Sequence, residues 1–154
     1  MLNSVGRRLR RNVVAAAGNS RMASDILLPA ARFPRMTKTI LSISHDHILL
    51  ETRGAILRKT GHRVISVSSL EDFVTSLRES EIDLVILGHS VPAAEREQAY
   101  RLLQEHDCQC PVIELYATAA PPKSPAHFHL AVHDRTFQSD LLALVQQVLS
   151  STPN

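Results

Sequence analysis

Short apolar runs separated by helix-length stretches constrain this chain more than any other feature. Ile40 to Ser44 is apolar-rich, Val64 to Val67 is β-branched, Leu84 to Leu87 is fully apolar, and Val112 to Leu115 is a further apolar run that holds Glu114. Such runs read as strands buried on both faces, the habit of parallel sheets. Between them lie segments with helix signals. Asp46 is placed to cap a helix running to about Thr60, and Gly61 to end it in a left-handed conformation. Ser69 with Asp72 three residues on opens a second helix, with Phe73, Val74 and Leu77 on one stripe. Pro92 opens a third that turns Ala99, Leu102 and Leu103 inward. Asp140 to Leu149 makes a strongly amphipathic last helix through Leu141, Leu142, Leu144, Val145 and Val148. Strand and helix alternating through short connections imply a parallel sheet covered by helices on both faces.

Charge separates the first 35 residues from the rest. Residues 1–35 hold seven arginines against the single acid Asp25, whereas the remainder holds ten basic and fourteen acidic residues. The body is therefore a poor binder of phosphate backbones, whose affinity comes from clustered Lys and Arg, and no nucleic-acid partner is expected for it. Residues 1–35 lack sustained periodicity and read as a disordered leader or an over-extended start, with residues 36–154 as the domain. An arginine-rich, acid-poor leader also fits a transit peptide or an arm for nucleic acid or anionic lipid. Val13 to Gly18 is too short for the apolar core of a secretory signal, and no apolar run is long enough to span a bilayer. Two cysteines one residue apart, Cys108 and Cys110, fit a reducing compartment, so the expected location is the cytoplasm without membrane association.

From Met36 to Ser151 the chain resembles a response-regulator receiver domain, the flavodoxin-like module of two-component signalling. Matching segments occur in order and at the family's spacing. They are Lys38-Thr-Ile-Leu-Ser-Ile, Leu57 with Gly61-His62 and Val64, Asp83-Leu-Val-Ile-Leu87, Val91-Pro92, Pro111-Val-Ile-Glu-Leu115 and Asp140-Leu-Leu-Ala-Leu-Val145. The resemblance implies an α/β fold, a three-layer doubly wound five-stranded parallel sheet of order 2-1-3-4-5, with its site outside the carboxyl ends of the strands. Three prolines among Ala117 to Pro125 imply that the family's fourth helix is shortened or lost, since proline in a helix interior costs about 3 kcal/mol. Strand five starts at Phe128 or nearer Ala131.

The same resemblance implies that the family's chemistry is missing. Receivers phosphorylate an aspartate after strand three with Mg²⁺ held by carboxylates. Here the acceptor position is Gly88 and the acidic pair falls on Ser44 and His45, leaving only the adjacent Asp46. The switch hydroxyl is replaced by Tyr116, and the phosphate-pairing lysine by Asp134, or by Arg135 in the neighbouring register. The implied function is a stand-alone, phosphorylation-incompetent interaction module in phosphorelay-type signalling, not an enzyme and without a cofactor. Its partner would be a kinase, regulator or effector, or a second copy of the chain. The expected partner face runs from about Pro121 to Leu149, with Phe128, His129 and Phe137 as contacts unless the phenylalanines fill the core.

The residues also permit a small-ligand or transition-metal sensor. His45, Asp46 and His89 would converge at the strand ends near Asp134, and the missing side chain of Gly88 would leave room for a ligand. His106-Asp107-Cys108-Gln109-Cys110 is a second, weaker chelate pattern. No Gly-x-Ser-x-Gly elbow surrounds Ser44 or Ser90, and Ser44-His-Asp-His replaces any glycine-rich phosphate cradle, which disfavours acyl-transfer, NAD and ATP chemistry. Aromatic residues make up 4% of the chain with no Trp, so no stacking platform for single strands is offered.

Overall fold

The computed structural model describes residues 37–151; the leader expected over residues 1–35 lies outside them. Strands β1 (Thr39–Ile43), β2 (Arg63–Val67), β3 (Leu84–Leu87), β4 (Val112–Tyr116) and β5 (Phe128–Ala131) alternate with helices α1 (His47–Arg58), α2 (Leu70–Glu79), α3 (Ala93–Glu105) and α4 (Phe137–Ser151). All strand pairs are parallel and the order is β2-β1-β3-β4-β5, the doubly wound topology expected.

The local signals act as their chemistry requires. The Asp46 carboxylate accepts the Leu49 N–H and the Ser69 hydroxyl accepts the Asp72 N–H, so α1 and α2 both begin on side-chain caps. Gly61 has φ 85°, where a side chain would be strained. Pro92 sits one position before α3 and caps it without a side-chain bond. The last helix starts at Phe137, a turn earlier than Asp140, whose carboxylate accepts from the Thr136 hydroxyl at 2.7 Å.

Successive strand residues feed opposite layers. Leu41, Ile43, Val85, Leu87 and Val112 meet α2 and α3 through Phe73, Ala99 and Leu103. Ile40, Leu84, Ile86, Ile113 and Leu115 meet α1 and α4 through Leu57, Leu141, Val145 and Val148. One expectation is corrected: Val64 to Val67 is not buried on both faces. Strand β2 lies at the sheet edge, so Val64 and Ile65 are half-buried and Ser66 is exposed. The first strand buries every residue.

The β3–β4 crossover carries α3 on one face. A right-handed β4–β5 crossover, moving the same way along the sheet, belongs on that face too. Residues 117–127 form it without a helix. The fourth helix of the expected pattern is thus lost, as its prolines require.

Candidate functional site

Strands β1 and β3 end side by side, because the Gly88 N–H donates to the Ile43 carbonyl at 2.9 Å. This register puts Ser44, Gly88 and Ser90 together at the carboxyl edge. The Ser44 and Ser90 hydroxyls are 2.8 Å apart, and the His45 N–H donates to Ser90 Oγ at 3.1 Å. Ser44 Oγ also accepts the Asp46 N–H at 3.2 Å. The loop after β1 is therefore closed on neutral hydroxyls.

Beneath it lies a residue that the sequence patterns did not single out. Arg53 is only 5% exposed, on the α1 stripe shared with Leu50, Gly54 and Leu57. Its Nε donates to Ser42 Oγ at 2.9 Å and its Nη2 to the Ile43 carbonyl at 3.3 Å. Both acceptors are neutral. Burial lowers the guanidinium pKa to about 10, so it stays charged at neutral pH. A Cβ placed on Gly88 would stand 2.9 Å from the Ile43 carbonyl oxygen, 3.0 Å from Arg53 Nη2 and 3.2 Å from Ser44 Cβ. The space expected at Gly88 for a small ligand is thus already taken by the guanidinium and the neighbouring strand. A charged residue on an otherwise apolar helix stripe was the available signal.

These residues do not fit Mg²⁺. Such an ion needs oxygen ligands with negative charge, and here a buried positive charge lies against Gly88. The Asp46 carboxylate holds the N-terminus of α1.

The histidines are committed differently. His45 Nδ1 faces the Ser68 carbonyl at 3.0 Å and Nε2 faces Glu95 Oε1 at 2.6 Å. Both ring nitrogens thus meet acceptors, which favours the doubly protonated ring, and the bond to Glu95 raises the His45 pKa above 6.5. Glu95, on the first turn of α3, was a second residue not foreseen. His89 is lowered instead, by burial and then by the charge of Arg53. Among the described residues no three His, Cys, Asp or Glu side chains are disposed to hold a metal ion.

Tyr116 ends β4 half-buried, paired in register with Ala131. Asp134 lies in the exposed turn after β5, where its carboxylate is 3.9 Å from His133 Nε2 and is not hydrogen-bonded to the Ser44–Ser90 group. Arg135, in the same turn, is exposed as well. Phe128 and Phe137 are half-buried and pack against the α1–α4 core layer, and His129 is hydrogen-bonded to Ser124.

Ser124 belongs to the network that covers the sheet where the fourth helix is lost. Glu114, in the middle of β4, is 1% exposed. Its Oε1 accepts the Tyr100 hydroxyl at 2.7 Å and the Ser124 hydroxyl at 2.6 Å, and Arg96 Nε stands 3.3 Å from Oε2. Ser124 has one proton to give and gives it to the carboxylate, so His129 Nε2, 2.9 Å away, donates to Ser124. Burial, then the bond to Glu114, raises the Tyr100 pKa. The serine is a relay toward a carboxylate and not an activated nucleophile. A lone acid in an apolar strand was the signal here.

No protein-family model and no curated protein matches the chain. Solved structures do. The receiver domain of a sensor histidine kinase from Pseudomonas aeruginosa, which holds a magnesium ion in its active-site cleft, matches at TM-score 0.63 and 21% identity. That match covers 75% of this chain and 99% of that one. A response regulator receiver protein from Sinorhizobium medicae matches at TM-score 0.62 and 24% identity, over 75% and 97% of the two chains. The receiver domain of a Francisella response regulator matches at TM-score 0.64 and 14% identity, over 76% and 100%. The fold is that of receiver domains.

Proposed function

We propose that residues 37–151 form a phosphorylation-incompetent receiver-like domain that works as a protein-interaction module in phosphorelay-type signal transduction in the cytoplasm, and not as an enzyme. The observation that carries this reading is the guanidinium of Arg53 set against Gly88, which replaces a metal-binding carboxylate site by a buried cation. What remains for function is shape and surface. Among the described residues no helix is long and apolar enough to cross a membrane, which is consistent with such a module. Among the described residues, the large apolar side chains left exposed, Ile48 and Leu49, lie at the start of α1 beside the strand-end site. The partner is a kinase, regulator or effector protein, or a second copy of the chain.

Incubation with Mg²⁺ and phosphoramidate, read by intact mass, is the direct test. No added phosphate is expected on the native chain, nor on Gly88→Asp, whose new carboxylate would pair with Arg53 while Asp46 and Glu95 stay bonded to the start of α1 and to His45. A phosphoaspartate on the native chain would overturn the reading. The sensor alternative draws no support from His45 and Asp46, both already bonded within the protein; saturable Zn²⁺-dependent amide shifts at His45, Asp46 and His89 would revive it.

A further inference from the structure

The turn between α3 and β4 is at the opposite edge of the sheet from the site above. It begins as a complete helix stop. The Cys108 N–H donates to the Leu103 carbonyl at 2.8 Å and the Asp107 N–H to the Gln104 carbonyl at 3.0 Å, with Asp107 at φ 55°. This double bond pattern normally takes glycine at the left-handed position, and here an aspartate bears the strain. The stop turns Cys108 back toward the core layer that contains Leu103 and Val112, and the next residue but one, Cys110, packs against the same layer. The two free, half-buried thiols are left 2.9 Å apart, sulfur to sulfur.

We infer that Cys108 and Cys110 form a redox-active dithiol that closes to an intramolecular disulfide by exchange with a low-molecular-weight disulfide such as glutathione disulfide. Closure to the disulfide length of about 2.05 Å asks each sulfur to move by only about 0.4 Å. The roles of the two sulfurs differ. The hydrogen bond from Cys110 lowers the Cys108 pKa to about 7, against burial and the carboxylates of Asp83 and Asp107, whereas Cys110 is raised by the same contact and by burial. Cys108, the thiol held lower, is accordingly the attacking thiolate.

The Cys108 sulfur attacks one sulfur of glutathione disulfide. The S–S bond breaks, one glutathione thiolate leaves and is protonated by solvent, and a mixed disulfide remains on Cys108. Cys110 then loses its proton to solvent, and its sulfur attacks Cys108 and expels the second glutathione thiolate, which is protonated in turn. Two cysteine thiols are oxidised by two electrons and one glutathione disulfide is reduced to two thiols. The product fastens the turn that feeds β4, the strand carrying Glu114.

The test equilibrates the full chain in mixtures of glutathione and its disulfide, quenches with acid, alkylates free thiols and reads intact mass. The expected result is a monomer with both cysteines protected and no glutathione attached, its fraction following the ratio of glutathione disulfide to the square of glutathione. Cys110→Ser is expected to stop at a single glutathione adduct on Cys108, and Cys108→Ser to react at least about tenfold more slowly at neutral pH. A native chain that stays doubly alkylated, that ends only as glutathione adducts, or that links to a second chain overturns the inference. The titration of the native chain is decisive without either variant.

Discussion

Two buried charges lie on opposite faces of one sheet, and the protein treats them in opposite ways. Arg53, under the strand ends on the α1 face, donates to a hydroxyl and a carbonyl. Glu114, on the α3 face, accepts from Tyr100 and Ser124 and is paired with Arg96. A charge held by neutral dipoles keeps its desolvation cost, so an apolar residue of similar volume can replace it cheaply. A carboxylate whose counter-charge is removed becomes an unpaired buried ion. The contrast separates a position occupied by a cation from a position that depends on an ion pair.

The largest effect is expected at the pair. Arg96→Met leaves Glu114 without its cation and should lower stability by about 3 kcal/mol in urea titrations; a loss under about 1 kcal/mol would show that Tyr100 and Ser124 suffice. Next comes Gly88→Ala, expected to cost about 2 kcal/mol. Its Cβ meets the backbone oxygen of Ile43, which cannot swing aside, as well as Arg53. Combining it with Arg53→Met should recover at least about 0.5 kcal/mol of that cost, and strict additivity would mean that the guanidinium does not crowd Gly88. Arg53→Met alone is expected to change stability by less than about 1 kcal/mol, since the stem still packs while two neutral acceptors lose a donor. A loss as large as that of Arg96→Met would erase the distinction.

The smallest effect depends on pH. The His45 pKa is raised in the folded state by Glu95, so the pair's contribution is complete below the unfolded value of 6.5 and disappears as pH rises through the higher folded value. Both side chains are about one-third exposed, so solvent screening limits the loss in His45→Gln to about 0.5 kcal/mol near pH 5.5, falling to nothing in alkaline solution. A loss that grows with pH would reverse the assignment. Such a result would mean that the neutral ring is the form held at the strand ends.

The fold was legible in the sequence because its signals are local. Asp46 and Ser69 cap helices within three residues of themselves, and Gly61 ends a turn at its own φ. That position 88 carries no side chain could be read directly. What fills the space could not, because Arg53 reaches it across 35 positions and Glu114 finds Tyr100 across 14. Both nevertheless left a trace, one charged residue on an apolar stripe and one in an apolar strand. The half-burial of Val64, Phe128 and Phe137 depends on sheet order and on packing, which periodicity does not encode.

The contact between Gly88 and Arg53 also bears on which side chains position 88 can accept. Any Cβ there meets a backbone carbonyl that cannot move and a guanidinium that can, so a small neutral residue is only crowded, whereas an acidic one gains a counter-charge from Arg53. The position sorts side chains by charge as well as by size.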